Sequence, residues 1–245
     1  MYYFASDIHL GAGDEATARR IEARFVGWLD SVSRDADAVF LLGDLFDFWF
    51  EYGKVVPKGF VRTLAKLAEL TSRGVRVVFF TGNHDMWVGD YLHKECGVEV
   101  HTSPKFMELA GRQVFLAHGD NIRVDDQPML KLMNTVFRSK VLRFLFSWLV
   151  HPDLALRFGQ WWSGHSRKSH GAVIERSMLD PLVGYADELA ASRHLDCCIF
   201  GHMHLAADID TGHTRVIFLG EWETAPAYAV MDDNGELTLK YLKTE

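Results

Sequence analysis

The stretch AVFLLGDLFD, residues 38–47, decides how this chain folds. Its apolar run, Ala38–Leu42, has the length of one buried strand, and Gly43-Asp44 ends the run in a polar turn. Four other apolar runs along the chain also lead into Asp, Asn or His. Because ligands of α/β proteins bind beyond the carboxyl ends of parallel strands, this recurring order predicts a parallel sheet with a polar site along one edge.

Strands and helices alternate through the first part of the chain, which is typical of a parallel sheet with crossover helices. The apolar spacing predicts helices over about 15–33 and about 61–74, and a mostly helical region over about 128–193. It predicts strands at Tyr2–Ala5, Ala38–Leu42, Val75–Phe80, Lys105–Leu109, Gln113–Ala117, Cys197–Phe200, Thr214–Leu219, Ala227–Met231 and Leu237–Leu242. The sequence therefore indicates an α/β fold.

The polar residues that follow the strands fall into five short stretches. They are Asp7-Ile8-His9, Gly43-Asp44, Gly82-Asn83-His84-Asp85, His118 and Gly201-His202-Met203-His204. Any one of them alone is more often a turn or an ordinary histidine, but five in succession at strand ends favour a shared site. Carboxylate, amide and imidazole ligands suit Mn, Fe, Zn or Ni, so these residues predict a metal centre.

The composition excludes several other classes of protein. The chain has 245 residues, 48% of them hydrophobic and 24% charged, so it is neither disordered nor fibrous. Its net charge of −7 argues against an extended nucleic-acid surface, and no nucleic-acid partner is expected. The three cysteines form no C-x-x-C pair, which argues against a thiolate zinc site and favours a reducing compartment.

The sequence indicates no segment that would carry the chain into a membrane. Met1–Ala5 leads directly into an acidic motif, without the pattern of a signal peptide. The longest strongly apolar run, 141–150, contains Arg143 and is short, whereas a spanning helix needs about 20 residues. We therefore expect a cytoplasmic protein that is either free in solution or peripheral to a membrane.

One segment differs in charge from the rest of the chain. Residues 127–171 contain seven basic residues and one acidic residue, a net charge of +6, so the remaining residues carry −13. Three of the seven tryptophans lie in the same segment. A basic and aromatic region of this kind suits a ligand with both phosphate and apolar parts.

In their order along the chain, the motifs D-x-H, G-D, G-N-H-[DE], H and G-H-x-H resemble those of the calcineurin-like metallophosphoesterase superfamily. The resemblance implies a four-layer αββα sandwich and a centre of two divalent metal ions, with Mn favoured over Fe, Zn or Ni. It implies one metal on Asp7, His9, Asp44 and His204, and the other on Asp44, Asn83, His118 and His202. Asp44 would bridge the two ions, and a hydroxide that bridges them would be the nucleophile.

Two further residues of the third stretch are predicted to be catalytic. His84 matches the superfamily's histidine beside the substrate phosphate, where it would donate a proton or stabilise developing charge. Asp85 would orient the His84 ring and raise its pKa. The alternative is that His84 only orients Asn83, a metal ligand, and does not contact the substrate.

A narrower resemblance is to the family of UDP-2,3-diacylglucosamine pyrophosphohydrolases of lipid A synthesis. It rests on the motifs DIHLG at 7–11, LLGDLFD at 41–47, HGD at 118–120 with Asp125-Asp126, GHMH at 201–204 and LGEW at 219–222. It implies a catalytic domain of residues 1–121 and 173–245, and an inserted helical cap of residues 122–172 that holds acyl chains over the metals. It also implies a lipid-linked nucleotide sugar as substrate, hydrolysed to UMP and 2,3-diacylglucosamine 1-phosphate.

The substrate-binding residues that this resemblance suggests come partly from the metal motifs and partly from the cap. They are Asn83, His84 and His202, the matching Asp126, and the candidates by type and place Arg123, Ser166 and Lys168. The enterobacterial form of the family has Arg where this chain has His84. That departure leaves the exact substrate open.

Three interpretations remain at this point. The first is hydrolysis of the lipid-linked nucleotide sugar. In that case the apolar residues of the cap would line a groove for the acyl chains, contact the cytoplasmic face of a bacterial inner membrane, or form the cap's own core. The second is a metallophosphodiesterase acting on a soluble nucleotide or another phosphodiester, and the third is a non-catalytic scaffold of the same fold. The apolar, basic segment favours the first, and the complete ligand set argues against the third. No protein partner is indicated.

Overall fold

Two β-sheets packed face to face form the centre of the molecule. A computed structural model describes residues 1–122, 135–137, 139–170 and 175–243, and for residues 140, 160 and 165–170 it describes the backbone alone. Within these residues the sheets contain six and five strands.

The first sheet contains most of the parallel strands. Its members are β1 (Tyr2–Ala5), β2 (Ala38–Leu42), β3 (Arg76–Phe80), β4 (Glu99–His101), β10 (Ala227–Met231) and β11 (Leu237–Tyr241). Their order is β11-β10-β1-β2-β3-β4, with β1 to β4 parallel and β10 antiparallel to both of its neighbours. The parallel register pairs Phe4 with Phe40, so the chain leaves β1 and β2 at the same edge.

The second sheet supplies the remaining strand ends. Its members are β5 (Lys105–Leu109), β6 (Arg112–Ala117), β7 (Cys197–Phe200), β8 (Ala206–Asp210) and β9 (Arg215–Leu219). Their order is β5-β6-β7-β9-β8, in which β6, β7 and β9 are parallel. The stretches that begin at His118 and Gly201 therefore leave neighbouring strands at one edge.

Helices cover the outer faces of both sheets and produce the four-layer αββα sandwich that the family resemblance implied. The helices on the sheets are α1 (Glu15–Val32), α2 (Val61–Ser72), α3 (Tyr91–Cys96) and α6 (Asp180–Ser192). Two further helices, α4 (Lys140–Leu149) and α5 (Pro152–His170), precede α6 in the chain. Phe25 and Leu67 of α1 and α2 are buried against the first sheet, and Leu182 of α6 against the second. Phe4 and Leu116 lie between the sheets.

Helix α1 shows how local sequence fixes an element. The carboxylate of Asp14 accepts a hydrogen bond from the Thr17 amide at 2.8 Å and so caps the first turn. The buried side chains recur every three or four residues and form the stripe that packs on the sheet: Ile21, Phe25, Trp28, Leu29 and Val32.

The predicted elements agree with the structure wherever an apolar run is long enough to show a period. Three elements were missed: α3, β4 and the edge strand β8. Helix α3 and strand β4 are only six and three residues long, too short for a recognisable period. Strand β8 (AADID) leaves its side chains half-buried or exposed, so it lacks an apolar run.

Helices α4 and α5 rest on the first half of the chain through aromatic contacts. The ring of Phe146 lies 5.2 Å from that of Phe50 and 5.8 Å from that of Trp87, measured between centroids. Other large apolar side chains of these helices face outward, among them Phe144 at 67% and Trp148 at 76% exposed. The predicted domain boundaries fall beside residues outside the described ranges, so the division into catalytic domain and cap stays a prediction.

No helix in the described parts of the chain combines the length and the apolar character needed to cross a bilayer.

The inter-sheet core predicts a large difference between two apolar substitutions. Leu116→Ala is expected to lower the free energy of unfolding by roughly 2–5 kcal/mol, because Leu116 is fully buried and leaves a cavity. Val61→Ala is the matched control: Val61 is 73% exposed on α2, so a change within about 0.5 kcal/mol is expected. Equilibrium denaturation in guanidinium chloride measures both values, and equal losses would contradict the assignment of Leu116 to the core.

Candidate metal centre

The candidate ligands sit in turns with an unusual backbone conformation. Seven non-glycine residues in the described part of the chain have positive φ, and five of these are candidate ligands. Their φ angles are 55° for Asp7, 50° for His9, 52° for Asp44, 67° for His202 and 54° for His204. Each such residue costs of order 1–3 kcal/mol, and such strain concentrates at functional sites.

Backbone hydrogen bonds hold these turns against one another. The amides of Asp7 and His9 donate to the carbonyl oxygens of Gly43 and Asp44 at 3.1 and 3.0 Å. The amide of His202 donates to the Asp7 carboxylate at 2.9 Å, which joins the two sheets at their shared edge. The amide of Trp222, in the LGEW motif, donates to the Asp7 carbonyl at 3.2 Å, and its buried ring packs on α1.

Four candidate ligands form a first group whose donor atoms lie within 4.8 Å of one another: Asp7, His9, Asp44 and His204. Nε2 of His204 lies 3.3 Å from Oδ1 of Asp7 and 3.2 Å from Nε2 of His9. Nε2 of His9 lies 3.9 Å from Oδ1 of Asp7 and 3.9 Å from Oδ2 of Asp44. These are the four residues that the resemblance assigned to one metal.

The remaining candidates surround the other side of Asp44. Nε2 of His118 lies 3.4 Å from Oδ2 of Asp44 and 3.2 Å from Oδ1 of Asn83. The ring of His202 lies 5.1 Å from that of His118, centroid to centroid. Nδ1 of His118 faces the Leu42 carbonyl at 2.8 Å, which leaves Nε2 directed at the site. The structure thus brings all seven predicted ligands together, with Asp44 facing both groups.

Burial and neighbouring charges shift the pKa values of the site residues in opposite directions. Burial raises the pKa of Asp44, but the surrounding imidazoles, His118 first, outweigh burial and hold that pKa well below its usual range. Burial lowers the pKa of His118, but Asp44 outweighs it and raises the pKa well above the usual value. Burial, with His118 beside it, lowers the pKa of His202 to about 4. These directions favour an ionised Asp44 and a neutral His202, the states in which such groups bind a cation, whereas His118 would release a proton on binding one.

One polar atom at the centre of the site fits a bound cation. Oδ1 of Asp7 is buried and accepts no well-aligned hydrogen bond from the described residues, with Nε2 of His204 3.3 Å away. An unpartnered buried carboxylate oxygen is costly unless a positive group satisfies it. Together with the mixed oxygen and nitrogen donor set, this oxygen fits a divalent transition metal.

The comparison with known proteins decides the family. The sequence profile described as "Calcineurin-like phosphoesterase" matches residues 2–206, most of the chain and every candidate ligand. The chain belongs to the calcineurin-like phosphoesterase family. Membership of this family implies divalent metal ions, whose element it does not specify.

Several relatives that match this phosphoesterase over almost its full length are named UDP-2,3-diacylglucosamine hydrolase. The protein of that name from Porphyromonas gingivalis is 39% identical over 94% of this chain and 93% of its own. Those from Pseudomonas paraeruginosa and Haemophilus influenzae are 30% and 29% identical, over 95% and 96% of this chain and the same shares of their own.

The two predicted catalytic residues of the phosphoesterase have different surroundings from those expected. The Asp85 carboxylate accepts from the amides of Gly82 and Phe46 at 2.8 and 3.3 Å, and burial, then Asp44, raise its pKa to about 7. The ring of His84 instead meets the Asp47 carbonyl at 2.9 Å and the Ser163 hydroxyl at 3.0 Å. The expected pairing of Asp85 with His84 is therefore wrong. The buried Asp85 carboxylate accepts hydrogen bonds from backbone amides instead.

The other predicted substrate-binding residues cannot be placed in the same way. Arg123 and Asp126 lie outside the described residues. Ser166 and Lys168 belong to helix α5, and the structure describes only their backbone. Their roles stay predictions.

Sequence reasoning missed two residues that contact His84. Asp47 stands in the LLGDLFD motif beside Asp44, so its position next to a candidate ligand was a usable signal. Ser163 lies 116 positions from Asp47 in a helix with many polar residues, and nothing local in the sequence marks it.

The tight turn at Gly82 gives a test of the site. A Cβ there would collide with the Asp44 carboxylate and lie 2.7 Å from the Asp44 amide. We expect Gly82→Ala to weaken Mn²⁺ binding by at least roughly 10-fold in isothermal titration calorimetry, because it displaces the central carboxylate. Gly27→Ala, on α1 with open space around it, serves as the control and should leave Mn²⁺ affinity unchanged. Unchanged affinity in Gly82→Ala would contradict the assignment of Asp44 as a ligand.

Proposed function

We propose that this phosphoesterase hydrolyses the pyrophosphate of UDP-2,3-diacylglucosamine to UMP and 2,3-diacylglucosamine 1-phosphate, a step of lipid A synthesis. The observation that carries the proposal is the full-length similarity to relatives named UDP-2,3-diacylglucosamine hydrolase, 39% identical in the first case. The geometry supports it, since the buried cluster around Asp44 has the charge and donor types for phosphoryl chemistry.

In this proposal the seven clustered side chains hold two divalent ions, with Mn as the favoured metal. Asp7, His9, Asp44 and His204 would bind one ion, and Asp44, Asn83, His118 and His202 the other. Ions bound there would lower the pKa of water and offset the charge on the phosphate oxygens. The turns at the strand ends supply the positioning, because their hydrogen bonds fix both carboxylates before substrate arrives.

His84 is proposed to act on the substrate phosphate. Its Nε2 lies 3.9 Å from Oδ2 of Asp44, so the ring borders the cluster without belonging to the first group of ligands. When the imidazole is protonated on both nitrogens, the N–H at that position would donate to a phosphoryl oxygen or the leaving group as charge develops. Asn83 and His202 lie on the side of Asp44 that faces away from His9. They would border the same phosphate.

Helices α4 and α5 are proposed to receive the lipid part of the substrate. Their outward side chains include Phe144, Trp148 and Trp161, exposed by 67%, 76% and 62%. Exposed aromatic side chains with neighbouring basic residues suit an interface with acyl chains and anionic headgroups. We therefore propose peripheral contact of this face with the cytoplasmic side of the inner membrane.

Removal of one ligand tests the reaction. Asp44→Asn or His118→Ala is expected to lower kcat for UMP release from UDP-2,3-diacylglucosamine with Mn²⁺ by at least about 1,000-fold, which corresponds to about 4 kcal/mol of lost stabilisation. Asp187→Asn, an exposed carboxylate on α6 paired with His213, is the control and should keep wild-type turnover.

Two outcomes of that assay would count against the proposal. Undiminished turnover in both ligand variants would contradict the assignment of the metal site. If the wild-type protein hydrolysed only soluble phosphodiesters, the lipid would not be its substrate.

The exposed aromatic face predicts binding to lipid vesicles. Trp148→Glu is expected to reduce the fraction bound to phosphatidylglycerol vesicles roughly 10-fold, because the variant places a charge where an apolar side chain would be buried. Val61→Glu makes the same change at a side chain of similar exposure on α2 and should bind as wild type does. Vesicle sedimentation measures both, and equal losses in the two variants would contradict a contact made by α4.

A further inference from the structure

We infer that Ser163 of helix α5 is a positioning residue for the active site, and that it acts through Asp47 on His84 and His9. The inference rests on the proposed function, because it assigns His84 a place beside the reacting phosphate. It adds a direct hydrogen-bonded link between α5 and the imidazoles that border the metal centre.

The hydroxyl of Ser163 is fixed on one acceptor. Ser163 is 1% exposed, and its Oγ donates to Oδ1 of Asp47 at 2.6 Å, a distance typical of a strong bond to an ionised acceptor. The side chain of Asp47 is itself buried. A serine hydroxyl has a single proton, so Oγ meets its other neighbour only as an acceptor.

That neighbour is the His84 ring, and the arrangement determines its tautomer. Nδ1 of His84 lies 2.9 Å from the Asp47 carbonyl oxygen and 3.0 Å from Oγ of Ser163. Both of these oxygens can only accept there, so Nδ1 carries the hydrogen. Nε2, at the opposite side of the ring, is thereby directed at the cluster around Asp44.

Asp47 also faces a candidate metal ligand. Its Oδ1, the oxygen that accepts from Ser163, lies 3.6 Å from Nδ1 of His9, whose Nε2 belongs to the first group of ligands. A carboxylate behind a ligating imidazole sets the orientation and basicity of the ring. Ser163 therefore restrains one carboxylate that borders two imidazoles of the site.

The same helix face is in close contact with the body of the protein. Gly159, one turn before Ser163, packs so tightly on the ring of Phe48 that a Cβ at Gly159 would overlap the ring. Phe48 directly follows Asp47 in the chain. The position of α5 is therefore transmitted to Asp47 both by this contact and by the hydroxyl, so displacement of the helix would move the site.

The test compares three substitutions. Ser163→Ala should lower kcat for UMP release roughly 10-fold with little change in KM, because the hydroxyl positions side chains rather than binding substrate. Ser163→Thr keeps the hydroxyl and should restore at least half of the wild-type kcat. Ser72→Ala removes a hydroxyl at the end of α2 that donates to the Glu69 carbonyl at 2.7 Å, and should behave as wild type.

A second readout is independent of turnover. In metal-free protein labelled with ¹⁵N-histidine, the Nδ1–H of His84 should be observed in wild type and exchange faster with water in Ser163→Ala. If wild type fails to turn over the lipid, the proposed function fails while this readout still reports on positioning. An unchanged His84 signal and an unchanged kcat in Ser163→Ala would overturn the inference, as would equal loss in Ser163→Thr, which would indicate packing alone.

Discussion

Burial of ionised carboxylates is the constraint on which the rest of this structure depends. Asp7 and Asp44 are 0% and 1% exposed. Charges removed from water to this extent are tolerated only when opposite charges and hydrogen bonds compensate them. Here the compensation comes from imidazoles, from the His84 and His202 amides, and, in the proposed function, from two divalent cations. The requirement explains why both sheets end their central strands at one edge.

Strain and close packing follow from that requirement. To aim five side chains at one point, the chain adopts left-handed backbone at Asp7, His9, Asp44, His202 and His204. Glycines next to these turns make room for them: a Cβ at Gly201 would overlap Ser6, and one at Gly43 would overlap the His118 ring. Such strain persists only where the surroundings overdetermine the conformation. The three apolar layers around and between the sheets supply that support.

Those parts of the fold that depend on local pattern could be predicted from the sequence. Strands β1, β2, β5, β7 and β10 have the predicted bounds, and all of these except β5 are apolar runs followed by a polar residue. The seven ligand candidates were recognisable for the same reason. The partner of His84 was not, since proximity in sequence suggested Asp85 whereas the observed contacts are to Asp47 and Ser163. Contacts between distant segments leave no periodic signal, and neither do elements as short as β4.

The charge division along the chain also has a structural counterpart. The acidic body holds the buried carboxylates, and the basic, aromatic segment contains α4 and α5, whose apolar side chains are partly packed on Phe50 and Trp87 and partly exposed. A substrate with a pyrophosphate and two acyl chains would use both parts. The proposed link from Ser163 to Asp47 joins them at the site itself.

The most direct test of this account is anomalous diffraction from a crystal of the protein grown with Mn²⁺. Two peaks roughly 3.5–4 Å apart are expected. One would lie among Asp7, His9 and His204, the other among Asn83, His118 and His202, with the Asp44 carboxylate between them. No anomalous peak at the Asp44 carboxylate, or peaks bound only by other residues, would contradict it.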